Sequence, residues 1–314
     1  MALNSLNIIT LTNLKGVGPK TILKIGAYAE AFEIGSAEKL HDILKEMKIK
    51  NGKITLDDVY EAEDKAKSII IRSKQNSIGV VSYYEKDFPE MLRHCLNEDG
   101  KEEPPIVLYY KGDLSVAKMP GLAVIGTREA LPEGEAAGRY LAGEFAKRGF
   151  CIVSGLAVGC DTAGHRGALD AGCKTIAFLA HGLDSIYPVE NEGLANEIVD
   201  KGGLLMSEYP IGSPVNRYAL VARDRLQAGI SLATLVVHTG VSGGTMHAVN
   251  ATIQEKKLVM VVKFKDDKVN GHERCKGNDY LVGKKGACYV SGSDNLDAIA
   301  RNIMSNAHTH KTLF

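Results

Sequence analysis

The sequence predicts an α/β fold: a doubly wound, mostly parallel sheet preceded by a small helical N-terminal domain. Two observations carry that prediction. From Leu122 almost to the end of the chain, short apolar strand-like runs alternate with helix-like stretches, the pattern of a mostly parallel, doubly wound sheet. The first two runs also end in small, loop-forming residues: Leu122–Ile125 leads into Gly126-Thr127-Arg128, and Phe150–Val153 into Ser154-Gly155 and then Gly159. A strand feeding a Gly-rich turn and a helix start presents backbone N–H groups and a dipole end to an anion. In an open α/β sheet such loops line the crevice at the carboxyl ends of the strands. The expected ligand therefore carries phosphate, as a nucleotide or a nucleic-acid backbone.

In chain order, residues 1–75 read as short helices. Within them Leu14-Lys-Gly-Val-Gly-Pro-Lys-Thr-Ile-Leu is a tight turn followed by a helix, with Pro19 near its first turn, where proline is well tolerated. Asp57–Arg72 is a charged helix containing alanines. Ile78–Tyr84 is a short strand, Tyr84–Leu96 a turn plus helix, and Pro104–Asp113 an extended segment and turn. Beyond the two strands above, Thr175–Leu179, Gly203–Met206, Thr234–Val237 and Leu258–Phe264 read as strands. Gly134–Arg148, Thr162–Ala171, Asn191–Lys201 and Thr245–Lys256 read as helices, and Leu226–Leu232 as a helix start after a loop at Ser213–Tyr218. The expected division is a helical (helix-hairpin-helix or SAM-like) domain over residues 1–75, the sheet domain over 76–305, and a flexible tail over 306–314.

At 314 residues the chain is long enough for about two domains, and 45% hydrophobic residues exclude disorder as a class. Lys+Arg and Asp+Glu are equal at 38 each, so any nucleic-acid affinity must come from a local groove rather than from global charge. The six cysteines form no CxxC pair and several occupy apolar positions, which predicts reduced core thiols and a cytoplasmic setting. The N-terminus shows no secretory pattern, and no run of apolar residues is long enough to span a membrane. His94, His181, His238, His247 and His272 do not fall at metal-ligand spacing, so neither metal nor cofactor is expected.

Five segments carry candidate chemistry. Gly16, Gly18 and Lys20 in the Gly-Val-Gly-Pro-Lys turn fit a hairpin whose backbone N–H groups touch a DNA phosphate, although any Gly-capped helical turn gives the same string. Gly126, Thr127 and Arg128 join N–H groups, a hydroxyl and a guanidinium, a combination suited to phosphate. Ser154, Gly155 and Gly159 form the second loop, and Asp161 behind them is placed as a helix N-cap. Asp161 and His165 share a helix face at i, i+4, but no G-x-S-x-G elbow or third group accompanies them, so loop and cap is the preferred reading and no catalytic residue is assigned. Arg223-Asp224-Arg225 fits either a salt-bridge cluster or an anion clamp. The clamp is preferred because Arg217 lies near in sequence. Ser242, Gly243, Gly244 and Thr245 open a helix after a strand, a third loop of the same anion chemistry.

The order of these segments resembles the DNA-processing protein A family (DprA/Smf). The strings that carry the resemblance are Pro104-Pro-Ile-Val-Leu-Tyr-Tyr-Lys-Gly-Asp, Ala123-Val-Ile-Gly-Thr-Arg, Val153-Ser-Gly-Leu-Ala-Val-Gly-Cys-Asp, Gly182-Leu-Asp-Ser-Ile-Tyr-Pro, Leu205-Met-Ser-Glu-Tyr-Pro, Arg223-Asp-Arg and Ser242-Gly-Gly-Thr. The resemblance implies an extended Rossmann-like domain that binds single-stranded DNA, helps load the RecA recombinase, acts as a homodimer and is not an enzyme. By position it assigns DNA phosphate to Gly126, Thr127, Arg128, Ser154, Gly155, Arg223, Arg225, Ser242, Gly243 and Thr245.

Three positions depart from the family pattern. Val158 replaces a usual basic residue, Asp224 a usual asparagine, and His238-Thr239 an expected acidic residue. Each lost phosphate contact lowers the salt slope of binding by about one unit. The C-terminus shows no winged-helix extension, so a divergent member is expected. The alternative is a domain that binds or hydrolyses a small nucleotide. Phosphoribohydrolases look similar here, but their Pro-Gly-Gly-x-Gly-Thr loop and following Glu have no match in Ser242-Gly-Gly-Thr-Met-His.

Overall fold

A computed structural model describes residues 3–29 and 34–311. Its nine strands form one sheet: β1 (Gly79–Ser82), β2 (Val107–Gly112), β3 (Gly121–Ile125), β4 (Cys151–Ser154), β5 (Thr175–Leu179), β6 (Leu204–Ser207), β7 (Ser231–Val236), β8 (Leu258–Val262) and β9 (Cys288–Val290). The spatial order is β1-β2-β6-β5-β4-β3-β7-β8-β9. β6 through β9 pair in parallel, whereas β1 and β2 extend the edge antiparallel, with Val80 opposite Tyr109 and Tyr110 opposite Met206. The fold is therefore the expected doubly wound α/β sheet with a helical N-terminal segment. β3 and β5 are buried at every residue, since helices cover both faces of a parallel sheet.

Strand order reverses between β3 and β7: successive strands add on one side of β3 as far as β6 and on the other from β7 onward. The loops leaving β3 and β7 must then diverge to opposite faces. That leaves a crevice at their carboxyl ends, the usual ligand position in such sheets.

The N-terminal helices are α1 (Ser5–Asn13), α2 (Pro19–Ala29), α3 (Ala37–Glu46) and α4 (Leu56–Gln75). Asn4 and Thr55 close capping boxes on α1 and α4, which satisfies N–H groups that a helix start leaves open. Ile8, Ile25 and Ile43 from these helices belong to the same buried cluster as Tyr109, Leu156 and Ile198 of the sheet region. The Tyr84 hydroxyl donates to the Leu23 carbonyl at 2.9 Å across that junction.

The remaining helices are α5 (Pro132–Lys147), α6 (Cys160–Asp170), α7 (Glu192–Asp200), α8 (Arg217–Ile230), α9 (Thr245–Gln254), α10 (Asp267–Asn270), α11 (Lys276–Lys285) and α12 (Leu296–Lys311). Three segments differ from the sequence reading. α8 begins at Arg217, where the Asn216 side chain accepts the Ala219 N–H at 2.9 Å, so Arg223-Asp224-Arg225 lie within a helix rather than before one. The helix start read at Leu226–Leu232 is instead the end of α8 and the beginning of β7. Glu90–His94 is a 3-10 turn where a longer helix was expected. α12 runs to Lys311, into the segment expected as a tail, and residues 312–314 lie outside the described residues.

Candidate nucleic-acid interface

At the β3–β7 switch point the structure forms a cleft of about 450 Å³ with three walls. The loop after β3 supplies Gly126, Thr127, Arg128 and Glu129, and the loop after β7 supplies Thr239, Gly240 and Ser242 through Thr245. α8 supplies Arg217, Leu220, Val221, Arg223, Asp224 and Gln227, a stripe at i, i+3, i+4 and i+7 that lies along one side of a helix. Gly244, the N-cap of α9, brings no side-chain cap; the Met246 and His247 N–H groups donate to the Gly243 and Gly244 carbonyls at 3.1 Å each, and the positive dipole end of α9 faces the cleft.

Charge in the cleft is balanced on paper, with Arg128, Arg217 and Arg223 against Glu129, Asp161 and Asp224. The partners decide what is available. Arg274 holds Glu129 at 2.5 Å, and Arg223 is spent on protein groups. Arg128 and Arg217 are exposed and enter no ion pair among the described residues. These two guanidinium groups and the start of α9 are the cleft's anion-accepting chemistry.

Of the second expected loop only Ala157, with Asp161 behind it, reaches the cleft lining, and the loop's polar groups are bonded within the protein. Ser154 is fully buried, its hydroxyl donating to the Val124 carbonyl at 2.6 Å. The Gly155 N–H donates to Asp161 Oδ2 at 3.1 Å, and Ala157 N–H to the same oxygen at 3.3 Å. Asp161 thus ties the loop together instead of capping α6, whose N-cap is Gly159. Gly159 has φ +79°, and a Cβ there would lie 2.6 Å from the Arg128 carbonyl oxygen. Its role is to let this loop pass under Thr127-Arg128. Gly159→Ala is expected to destabilise the fold by at least about 1–3 kcal/mol through overpacking, with left-handed strain added. A lowered urea midpoint at unchanged m-value checks it.

Arg223 and Arg225 do not form one clamp. They are two residues apart on a helix, so they point about 160° from each other. Arg223 donates to the Phe178 carbonyl at 2.6 Å and pairs with Asp224 at 3.1 Å. Arg225 faces the opposite side, where its guanidinium makes a two-pronged bond to Glu208 at 2.7 Å each and donates to the Glu103 carbonyl at 2.8 Å. The expectation that Arg225 binds phosphate is therefore corrected: Glu208 holds it inside the protein. Burial pushes the Asp161 carboxyl up, against the pull of Arg223. Burial also raises Asp224 to about 6, opposed by Arg223 and reinforced by Asp161.

The histidines near the strand ends are structural. His165 is fully buried beside Thr175 Oγ1 at 2.7 Å; burial, with Arg223 and Arg166 nearby, takes its pKa down to about 3. His238 accepts the Leu131 N–H at 3.2 Å and so anchors the loop that carries Arg128. Among the described residues no group of three or more His, Cys, Asp or Glu could hold a metal ion.

The turn with Gly16, Gly18 and Lys20 lies outside this cleft. Its neighbour Pro19 lines a second cavity, of about 420 Å³, together with Thr12, Asn13, Tyr109, Glu208 and Tyr209. Ala222 and Arg225 of α8 also line it, so α8 is the partition between the two cavities. Lys15, Gly16 and Lys20 are exposed, and the Lys50 side chain lies over Gly16. The sequence reading missed Glu208, which captures Arg225 from 17 residues away, and Gln227 and Thr239 in the lining. No local signal marks these residues.

The fold and this cleft define an α/β protein with its lining loops at the topological switch point, where open α/β sheets take their ligands. Comparison with known proteins makes the assignment specific. The chain belongs to the DNA recombination-mediator protein A family, whose model matches residues 79–300. It is similar to protein Smf of Synechocystis sp., with 39% identity over 164 residues that cover 51% of this chain and 39% of that protein. DNA processing protein DprA of Streptococcus pneumoniae is 33% identical over 175 residues, covering 55% of this chain and 61% of that protein. The chain thus spans about half the length of such relatives.

Among solved structures, DprA of S. pneumoniae superposes with a TM-score of 0.75 at 25% identity, over 96% of this chain and 98% of that one. DNA processing protein A of Helicobacter pylori, solved for its single-stranded DNA binding mode, superposes with a TM-score of 0.60 at 26% identity, over 73% of this chain and 96% of that one.

Proposed function

We propose that this protein binds single-stranded DNA as a recombination mediator, holding backbone phosphates in the switch-point cleft between Gly126–Arg128 and Ser242–Thr245. The observation that carries this reading is the pair of unpaired guanidinium groups, Arg128 and Arg217, beside the uncapped start of α9. The H. pylori relative, whose single-stranded DNA binding mode has been described, supports the strand as ligand. The chain acts as a binding protein and not as an enzyme. In the same proposal it is a homodimer in the cytoplasm that hands the strand to the RecA recombinase. All six cysteines are free, and no helix among the described residues is long and apolar enough to cross a membrane. Gly16, Gly18 and Lys20 are proposed as a second contact farther along the strand, which Lys20→Ala tests by weakening long strands but not short ones.

A second reading, a site for one small nucleotide, is favoured by the volume of the cleft, about 450 Å³, which lies in the range of small-molecule sites. Competition against a labelled single-stranded oligonucleotide separates the two. Unlabelled single strand should displace the label, while duplex and free nucleotide at equal phosphate concentration should not. Displacement by free nucleotide at stoichiometric levels would overturn the strand reading.

A further inference from the structure

The rim of the cleft has a chemistry opposite to its floor. Four large apolar side chains stand exposed on the elements that line it: Tyr218 at 86%, Val241 at 51%, Val158 at 37% and Val221 at 36%. Val221 lines the cleft itself, Val158 follows the lining residue Ala157, and Val241 sits between the lining residues Gly240 and Ser242. Tyr218 follows Arg217 and lies about 60° round α8 from Val221, outside the cleft-facing stripe and next to its Val221 edge. It makes no hydrogen bond, ion pair or ring contact among the described residues.

Protein–protein patches place apolar groups at the centre and polar groups at the rim. Here the two guanidinium groups outside any ion pair, Arg128 and Arg217, belong to the cleft lining, and apolar groups stand at its edge. A ligand that fits must bury anionic groups inward and lay apolar faces outward. An unpaired polynucleotide has that pattern, with backbone phosphates on one side and base faces on the other. A duplex does not, because its bases are already stacked.

We propose that Tyr218, backed by Val221, is a stacking platform for an unpaired nucleobase of a strand whose phosphates lie against Arg217 and Arg128. The proposal rests on the single-strand reading of the cleft and adds a base subsite to it. Val241 and Val158 continue the apolar edge on the other walls, so successive bases meet apolar surface as the backbone crosses the floor.

The absence of tryptophan from the sequence makes the test direct, because Tyr218→Trp introduces the only indole. Binding of an unlabelled single strand should quench that emission, and a strand abasic at its central positions should quench it far less. Tyr218→Ala should weaken binding of a labelled oligonucleotide roughly tenfold, within the range for loss of one base–aromatic stack. Salt slope and thermal midpoint should be unchanged, because the side chain carries no charge and supports no contact. Tyr218→Phe should bind like the unaltered protein. Wild-type affinity in Tyr218→Ala, unchanged indole emission on binding, or a Tyr218→Phe defect equal to that of Tyr218→Ala would each overturn the platform alone. Failure of every variant and of the unaltered protein to bind in anisotropy would instead remove the single-strand reading, and the platform with it.

Discussion

Arg225→Ala is expected to lower the unfolding free energy by about 3–5 kcal/mol, the range for removing one partner of a buried ion pair. The Arg225 and Glu208 side chains are only 7% and 19% exposed. Truncation leaves the Glu208 carboxylate without its two-pronged partner and the Glu103 carbonyl without a donor. Arg225→Lys should recover little, since an ammonium cannot reproduce the planar fork. Urea unfolding measures the loss. Oligonucleotide affinity, taken per folded molecule, should stay near that of the unaltered protein because Arg225 faces away from the cleft. Unchanged stability with lost DNA affinity would restore the clamp that the sequence alone favours.

The second large effect concerns Asp224. Its carboxyl lines the cleft and its pKa is raised from 3.8 to about 6, first by burial and then by Asp161, against Arg223, His247 and Arg128. Above about pH 6 it is an anion facing the proposed phosphate path. Arg223 at 3.1 Å and the Gln227 amide at 3.1 Å offset part of that charge, so the repulsion left at an effective dielectric constant near 20 is on the order of 1 kcal/mol, a several-fold effect on affinity. Strand binding should therefore strengthen as pH falls from 8 to 5.5, with the change centred near pH 6. Asp224→Asn should bind more tightly at pH 8 and lose that pH dependence. The stability sign follows from the same shift: a carboxyl with a raised folded-state pKa binds its proton more tightly when folded, so its contribution falls as pH rises from about 4 to 6. A pH profile of binding unaltered by Asp224→Asn would contradict this account of the cleft floor.

The sheet was legible because strands of a parallel sheet covered on both faces are spelled as continuous apolar runs, and Thr175–Leu179 is found at the bounds read for it. α8 was misread because its signal is a single polar cap: Asn216 opens a helix whose first turn contains Arg217 and Tyr218, residues that resemble a loop. Once the helix is known, the opposite orientation of Arg223 and Arg225 follows from its geometry. α11 carries Gly277 and Gly283 and little periodicity. Asn278 fixes it from within, its amide donating to the Val237 and Val262 carbonyls at 3.0 Å. The β3 and β7 loops were legible as loops that converge on one cleft. The β4 loop has the same composition but serves the protein, because Asp161 takes up its N–H groups. Composition shows which loops can offer N–H groups, whereas tertiary contacts decide which of them remain free.

The central claim is that Arg128 and Arg217 hold phosphates in the switch-point cleft. The most direct test is the dependence of single-strand affinity on salt for the unaltered protein, Arg128→Ala and Arg217→Ala. The log–log slope should fall by about 0.7–1 unit in each variant, with the thermal midpoint unchanged. Affinities and slopes equal to those of the unaltered protein in both variants would place the strand elsewhere on the molecule and contradict the account.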